Sequence, residues 1–294
     1  MIDLHTHTTA SDGRRTPPDL VARAAEAGVT VLSVTDHDTV AGCEPAARAC
    51  ATAGVEFVPG IEITAVRDNA DLHVLGYFID ASAPALLTFL DEQRRRRIDR
   101  ARQMIAQLER LGIPLDADAI LRPGVDDATK TVGRPWIARA LVESGHVATI
   151  AEAFDRWLAR GRPAYVPRLA GSPGDVIARI HHAGGVASLA HPGLLGHDEW
   201  IPGLAELGLD AVEAYHFDHN PERTQHYVAM ADRLGLSVSG GSDYHADQSH
   251  GAPAPGSVAL PREAYDRLKW RRRAAAPASP TAPNPSPIEP QDRR

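Results

Sequence analysis

The feature that most limits what this chain can fold into is an alternation of short β-branched runs with amphipathic stretches. IDLHTH at the start reads as a strand, and Pro17 to Ala27 as a helix with Pro in its first turn and Gly28 past its end. TVLSVTDHD is a second strand, Ala41 to Ala53 a second helix closed by Gly54, and VEFVPGIEITAV and LHVLGYFI are two more strands. Such a rhythm predicts a mostly parallel sheet with crossover helices.

From Pro84 to Pro163 the strand signal stops. A long helix from Ala85 to Leu111 is followed by helical patterns over Asp116 to Leu121, Pro135 to Glu143 and Ile150 to Ala159. The Arg94 to Arg97 run sits on the long helix and reads as a solvated face with carboxylates nearby. After Val166 the alternation resumes, with a helix from Pro173 to Ala183, strand GVASLAH, a helix ending near Leu207, strand DAVEAYH, a helix from Pro221 to Leu234 and strand LSVSGGSDYH. About seven strands result, and a closed or nearly closed α/β barrel fits them because the polar clusters fall at C-terminal strand ends, where such barrels build active sites. The expected organisation is a barrel over 1–83 and 164–273, a helical cap inserted over 84–163, and a disordered Pro-, Ala- and Ser-rich tail over 274–294.

Composition narrows the partners. No run among the 294 residues approaches the roughly 18 apolar residues of a membrane span. The N-terminal MIDLHTHTTASDG lacks the basic and apolar regions of an export signal, so a cytoplasmic location is expected. A net charge of -7 argues against duplex DNA binding through a basic surface, yet leaves room for a phosphorylated small molecule in a locally positive site. Cys43 and Cys50, the two cysteines, are expected to be small buried groups rather than a disulfide or metal site.

The chemistry is carried by part of the 14 histidines. His5 and His7 alternate by two and so share a face. Asp12 follows on the adjoining loop, TDHD places Asp36, His37 and Asp38 after the second strand, and Glu62, His73, His191, Asp243 and His245 are each expected to follow another strand. A set of imidazoles and carboxylates without thiolates suits Zn, Mn or Fe. Nine candidates exceed the needs of one ion and would serve two or three, with a carboxylate bridging a pair. Asp36 and Asp38 are alternatives that would orient the His37 imidazole instead.

The segments HTHTTASDG, TDHDTVAG, PGIEITA, LHVLGYFID, AHPG and GSDYH, in this order, resemble the motifs of the PHP (polymerase and histidinol phosphatase) family of metallohydrolases. RRRRIDRARQMIAQLERLG, VGRPWIARALVESG and RGRPAYVP within the insert resemble the subgroup of nucleoside 3',5'-bisphosphate phosphatases and short-RNA 5'-to-3' exonucleases. The resemblance implies a distorted (β/α)7 barrel holding three divalent ions. His5, His7, Glu62 and Asp243 would hold the first. Glu62 would bridge to a second held by His73 and His191, and Asp12, His37 and His245 would hold the third.

Such a centre is locally positive and attracts phosphate, and a water between two ions would have its pKa lowered toward roughly 7, giving a hydroxide nucleophile. Arg134 and Arg160, each in a GRP context, would by resemblance reach from the cap to a second phosphate, where arginine forks bind well. His219 and Asp243 are the catalytic candidates. His219 would protonate or orient the leaving group and also touch substrate; His216 and Arg168 are weaker candidates. Trp136, beside Arg134, reads as core with a nucleobase contact as the alternative, and His146, His181, His182, His197, His226 and His250 as ordinary surface or core groups.

The function expected is removal of the 3'-phosphate from nucleoside 3',5'-bisphosphates, with trimming of short 5'-phosphorylated RNAs. The alternatives are a histidinol phosphatase, which shares the metals, and a noncatalytic metal-binding module, which would be expected to have lost ligands.

Overall fold

Seven strands form one sheet in which neighbours in sequence are neighbours in space: β1 (Ile2–Asp3), β2 (Val31–Val34), β3 (Glu56–Arg67), β4 (Ala70–Tyr77), β5 (Val186–Leu189), β6 (Ala211–His216) and β7 (Ser237–Gly241). The computed structural model describes residues 1–127, 132–246 and 254–272. The expected disordered tail and His250 lie outside the described residues. No helix among them is long and apolar enough to cross a membrane.

The sheet curls until its ends meet. Leu4 N donates to Gly240 O at 3.2 Å, His7 N donates to Tyr244 O at 2.9 Å, and Thr6 pairs in parallel with Tyr244. Glycine is required at this seam, because a Cβ on Gly241 would collide with the backbone nitrogen and Cβ of His5. Gly241→Ala is therefore expected to cost about 1–3 kcal/mol through overpacking, read as a Tm several degrees lower; an unchanged Tm would mean that the seam yields.

Pairing is parallel except around β4, which runs antiparallel to both β3 and β5. The reason is local. Only Asp68 and Asn69 separate β3 from β4, both at positive φ (51° and 61°), and a two-residue turn of that kind permits only an antiparallel return. This corrects the expectation that every polar cluster stands at a C-terminal strand end: His73 lies in the first half of the reversed β4, and Glu62 lies within β3.

Helices α1 (Pro17–Glu26) and α2 (Cys43–Ala53) cover the first strands, with Leu20, Val21, Ala46 and Cys50 buried beneath them. Both cysteines are free and buried. Between β4 and β5 run α3 (Pro84–Arg110), α4 (Ala117–Asp126), α5 (Arg134–Glu143) and α6 (Ile150–Ala153). Their pattern departs from expectation in two places. α4 continues through Pro123 to Asp126, and the last predicted helix becomes α6 followed by a π-helical turn over Phe154–Leu158.

α3 is about 40 Å long at 27 residues and belongs to two apolar clusters. Leu86 and Leu90 pack with the barrel, whereas Ile98, Met104, Ile105 and Leu108 pack with Leu121, Ile137, Leu141 and Leu158. The arginine run sits at the junction. Arg95 and Arg96 are exposed and paired with Asp91 and Glu92, as a solvated face would be. Arg97 turns inward to Asp38 and Thr64, and Arg94 donates to the carbonyls of Gly124 and Val125.

The second half of the barrel carries α7 (Pro173–His182), α8 (Pro192–Leu195), α9 (Ile201–Glu206), α10 (Pro221–Leu234) and α11 (Arg262–Trp270). The single helix expected to end near Leu207 is thus split into α8, a 3-10 turn at Asp198–Trp200 and α9. α11 escaped the sequence reading; it places Tyr265 and Leu268 against the barrel interior.

Candidate metal centre

The extension of β1 beyond Asp3 carries His5 and His7, both fully buried. Around them gather donors from six other segments. Glu62, 0% exposed, is the hub: one of its oxygens lies 2.9 Å from His73 Nδ1 and 3.1 Å from His191 Nε2, while the other lies 2.9 Å from His37 Nδ1, 3.4 Å from His7 Nε2 and 3.6 Å from His5 Nε2. Asp243 Oδ1 stands 3.2 Å from His7 Nε2 and 3.3 Å from His5 Nε2. Asp12 lies 3.4 Å from His245 Nε2 and 3.7 Å from both His7 Nδ1 and His37 Nε2.

These separations are those of donors sharing an ion, since two ligands each about 2.0–2.2 Å from a metal stand about 3 to 3.6 Å apart. His5 Nε2, both ring nitrogens of His7, Glu62 Oε2 and His73 Nδ1 are buried and make no hydrogen bond of good geometry. Buried polar atoms seldom go unsatisfied, and here they converge on shared space. The residues therefore fit divalent ions.

Three groups of donors each lie close enough for one ion: His7, Asp12, His37 and His245; His5, His7 and Asp243; and His37, Glu62 and His73. Eight of the nine sequence candidates enter these groups, and His191 joins the centre through Glu62. The grouping differs from the expected one in that His37 serves two groups and His7 links two.

Electrostatics favour the ligand forms of the two central carboxyls and of His7, whereas the carboxylates around His5, His37, His191 and His245 hold those rings toward the protonated form that an ion would displace. Burial opposes charge on Glu62 and Asp243, but the surrounding imidazoles, led by His37 for Glu62 and His5 for Asp243, hold both carboxyls well below the usual range. Burial and the neighbouring His245 push His7 down to about 4, so that its ring is neutral and offers a lone pair at pH 7. His245, despite burial, is pushed up to about 9 by Asp12. His191 and Asp243 both adopt positive φ (27° and 50°), a region costly for side chains other than glycine and tolerated where surrounding contacts hold it.

Several supporting residues occupy places other than expected. Asp36 accepts from Thr8 N, Thr8 Oγ1 and Ser11 Oγ at 2.6–2.7 Å, holding the loop that carries Asp12. Asp38 accepts from Thr64 N at 2.9 Å and pairs with Arg97, which ties the His37 loop to α3. His219 uses both ring nitrogens: Nδ1 donates to Ala214 O at 2.9 Å and Nε2 accepts from Gly193 N at 3.2 Å. Both ring nitrogens are thus engaged by backbone groups. His216 Nε2 lies 3.4 Å from Asp243 Oδ2. Glu213, which the sequence reading passed over, lies 2.9 Å from His5 Nδ1 and accepts from His191 N at 2.7 Å.

A cleft of about 340 Å³ opens from the centre toward the inserted helices. Asp12, His37 and His73 line it on the side of the centre, and Arg97, Arg134, Arg168, Trp136 and Phe154 are among its other lining residues, with Asp71 the one further carboxylate among the described residues. The Arg134 guanidinium lies 5.5 Å over the Phe154 ring and makes no ion pair with the described residues. Arg168 faces Asp71 at 3.3 Å, and burial, with Arg97 adding to it, pushes its guanidinium down to about 9. Arg160 is exposed and is not among the residues lining this cleft. His181, read as an ordinary histidine, lies 2.6 Å from Asp210 and away from the centre.

A seven-stranded barrel whose mouth gathers imidazoles and carboxylates without thiolates defines a metal-dependent hydrolase. The PHP domain model matches residues 3–132. The chain is 39% identical over 250 residues to the 5'-3' exoribonuclease Rnm of Escherichia coli K12, covering 83% of this chain and 84% of that one. It is 36% identical over 265 residues to the 3',5'-nucleoside bisphosphate phosphatase of Chromobacterium violaceum, covering 88% and 92%. Among solved structures, a Bifidobacterium adolescentis protein thought to be a metal-dependent phosphoesterase superposes with a TM-score of 0.82 at 31% identity, covering 92% and 96%. The chain belongs to the PHP family, and its enzymatic class is that of the phosphoric ester hydrolases.

Proposed function

We propose that this enzyme removes the 3'-phosphate of nucleoside 3',5'-bisphosphates and also trims short 5'-phosphorylated RNAs from the 5' end, using three divalent ions of Mn, Zn or Fe. The observation that carries this reading is the cleft that joins metal-ligating side chains to three arginines and two aromatic rings. A substrate with one phosphate at the centre and a second some distance away fits such a cleft better than a small amino alcohol phosphate does. Relatives acting on bisphosphates and RNA support it.

Bound ions supply Lewis-acid charge and a water acidified toward a pKa of about 7. The protein's own groups do the rest. His5, His7, Glu62 and Asp243 would hold an ion at the scissile-phosphate end, with His73, His191, Asp12, His37 and His245 completing the donor set. Arg134 and Arg168 hold the remote phosphate by charge-assisted hydrogen bonds, with Arg97 fixed between them and the His37 loop. Trp136 and Phe154 offer ring faces to the base. The inserted helices, on this reading, form a cap that sets substrate length. Arg160 stands outside this assignment, and His219 positions the start of α8 through Gly193.

The test is phosphate release from nucleoside 3',5'-bisphosphates, short 5'-phosphorylated RNAs and histidinol phosphate with Mn, Zn or Mg supplied. Turnover of the first two and little of the third is expected. Preference for histidinol phosphate would overturn the proposal.

A further inference from the structure

We propose that β6 is the orienting strand of the metal centre, and that Glu213 on it is a positioning residue that decides which ring nitrogen His5 offers and from what backbone His191 projects. The inference rests on the reading of this centre as a metal site and deepens it.

The Glu213 side chain is fully buried, and its two oxygens are divided between two ligand-bearing segments. Oε1 lies 2.9 Å from His5 Nδ1, and Oε2 accepts from the backbone N–H of His191 at 2.7 Å. The first contact selects a tautomer. With Nδ1–H donated to the carboxylate, the lone pair of His5 stands on Nε2, which faces Asp243 Oδ1 at 3.3 Å and Glu62 Oε2 at 3.6 Å. The opposite tautomer would aim a proton into the donor set. A carboxylate behind an imidazole also raises its basicity toward a metal. Glu213 stands behind the ring, on the nitrogen remote from the other donors, so it acts through His5 rather than as a ligand itself.

The second contact holds strained backbone. His191 has φ 27° and ψ 59°, and it is followed at once by Pro192, so its carbonyl side cannot relax into a helix. Its N–H is anchored by Glu213, which fixes the ring with Nε2 3.1 Å from Glu62 Oε1.

A bulge makes one strand able to do this. In a regular strand residues 213 and 216 would point to opposite faces. The β6–β7 register slips between Glu213 and Tyr215, and the extra residue returns His216 to the mouth, where it lies 3.4 Å from Asp243 Oδ2. The bulged Ala214 presents its carbonyl to His219, whose other nitrogen holds Gly193, two residues after His191. β6 thus touches ligands or ligand-bearing turns from β1, β5 and β7 while placing none of its own side chains in the three donor groups.

The test is metal affinity by chelator competition on the full chain, wild type against Glu213→Gln, with Asp210→Asn as the comparison. Asp210 is a buried carboxylate that accepts from Ala187 N and faces His181, and it belongs to none of the three donor groups. Gln matches Glu in size but must turn an NH2 toward one of two N–H donors, so one contact is lost. Affinity is expected to fall about 10–100-fold, with an altered visible spectrum in the Co(II)-loaded protein, whereas Asp210→Asn lowers Tm and leaves affinity and spectrum unchanged. Unchanged affinity in Glu213→Gln, or losses in both variants that follow Tm alone, would overturn the proposal. Should Glu213→Gln fail to fold, imidazole nitrogen NMR of the zinc-loaded wild type decides: His5 bound through Nε2 with a protected Nδ1–H supports the assignment, and binding through Nδ1 overturns it. A wild type that binds no divalent ion would remove the metal reading, and this inference with it; a wild type that binds normally confines any failure to Glu213.

Discussion

Glu62→Gln is expected to strip the protein of much of its metal and to lower turnover by about a thousandfold or more, the equivalent of several kcal/mol of lost charge stabilisation. Five imidazoles stand within 2.9–3.6 Å of this one carboxylate. Gln has the same shape, so the backbone of β3 has no reason to move. What changes is the charge, and the NH2 group then faces ring nitrogens that need an acceptor or an ion. Elemental analysis after gel filtration, together with steady-state kinetics, checks this. Full metal occupancy with full activity would remove Glu62 from the centre of the site.

Arg134→Ala is expected to separate the two ends of the substrate. Each charge-assisted contact is worth about 1.5–3 kcal/mol, so kcat/KM on a nucleoside 3',5'-bisphosphate should fall roughly 10- to 150-fold. A generic aryl phosphate has no second phosphate to lose and should be affected little. Because Arg134 lines the cleft without an ion pair to the described residues, its removal leaves no carboxylate stranded; Arg168→Ala would strand Asp71 and is the less clean variant. Arg160→Ala, on an exposed side chain outside the cleft, is expected to change neither substrate. Equal losses on both substrates from Arg134→Ala would place that arginine at the reacting phosphate, and a loss confined to Arg160→Ala would reverse the assignment between them.

The strands and the gathering of His and carboxylate candidates beside them were legible because each rests on a local signal. Alternation marks β1 and its extension, and His5 and His7 two apart must share a face. What escaped depends on contacts distant in sequence. Nothing near Arg97 shows that Asp38 will stand opposite it, 59 positions earlier, so its run looks like any exposed basic stretch. Glu213 reads as one polar residue in DAVEAYH, and its meaning comes from a bulge and from a histidine 208 residues away. Arg160 and Arg134 share a sequence context but not a place: Arg134 opens α5 and lines the cleft, whereas Arg160 is exposed just past the π-helical turn at Phe154–Leu158. One missed feature did carry a signal. Asp68-Asn69 between two β-branched runs is hairpin chemistry, and reading it would have reversed β4 in advance.

On the proposed reading, the two apolar clusters that meet along α3 separate the metal donors from the substrate contacts. The donors sit on the barrel mouth, while Arg134, Trp136 and Phe154 belong to the helices gathered around Ile137, Leu141 and Leu158. Substitutions in sets that share no partners add nearly independently. On the proposed reading, substitutions around Ile137, Leu141 and Leu158 would retune what the cleft accepts while the barrel's donors stay in place. The point of vulnerability in such a division is the hinge pin itself: Gln93, which donates to Thr64 O at 3.2 Å, and Arg97 one turn later fasten the interchangeable part to the fixed one. Any recombination that swaps the insert must carry that pair across, or the new specificity arrives detached from the catalyst.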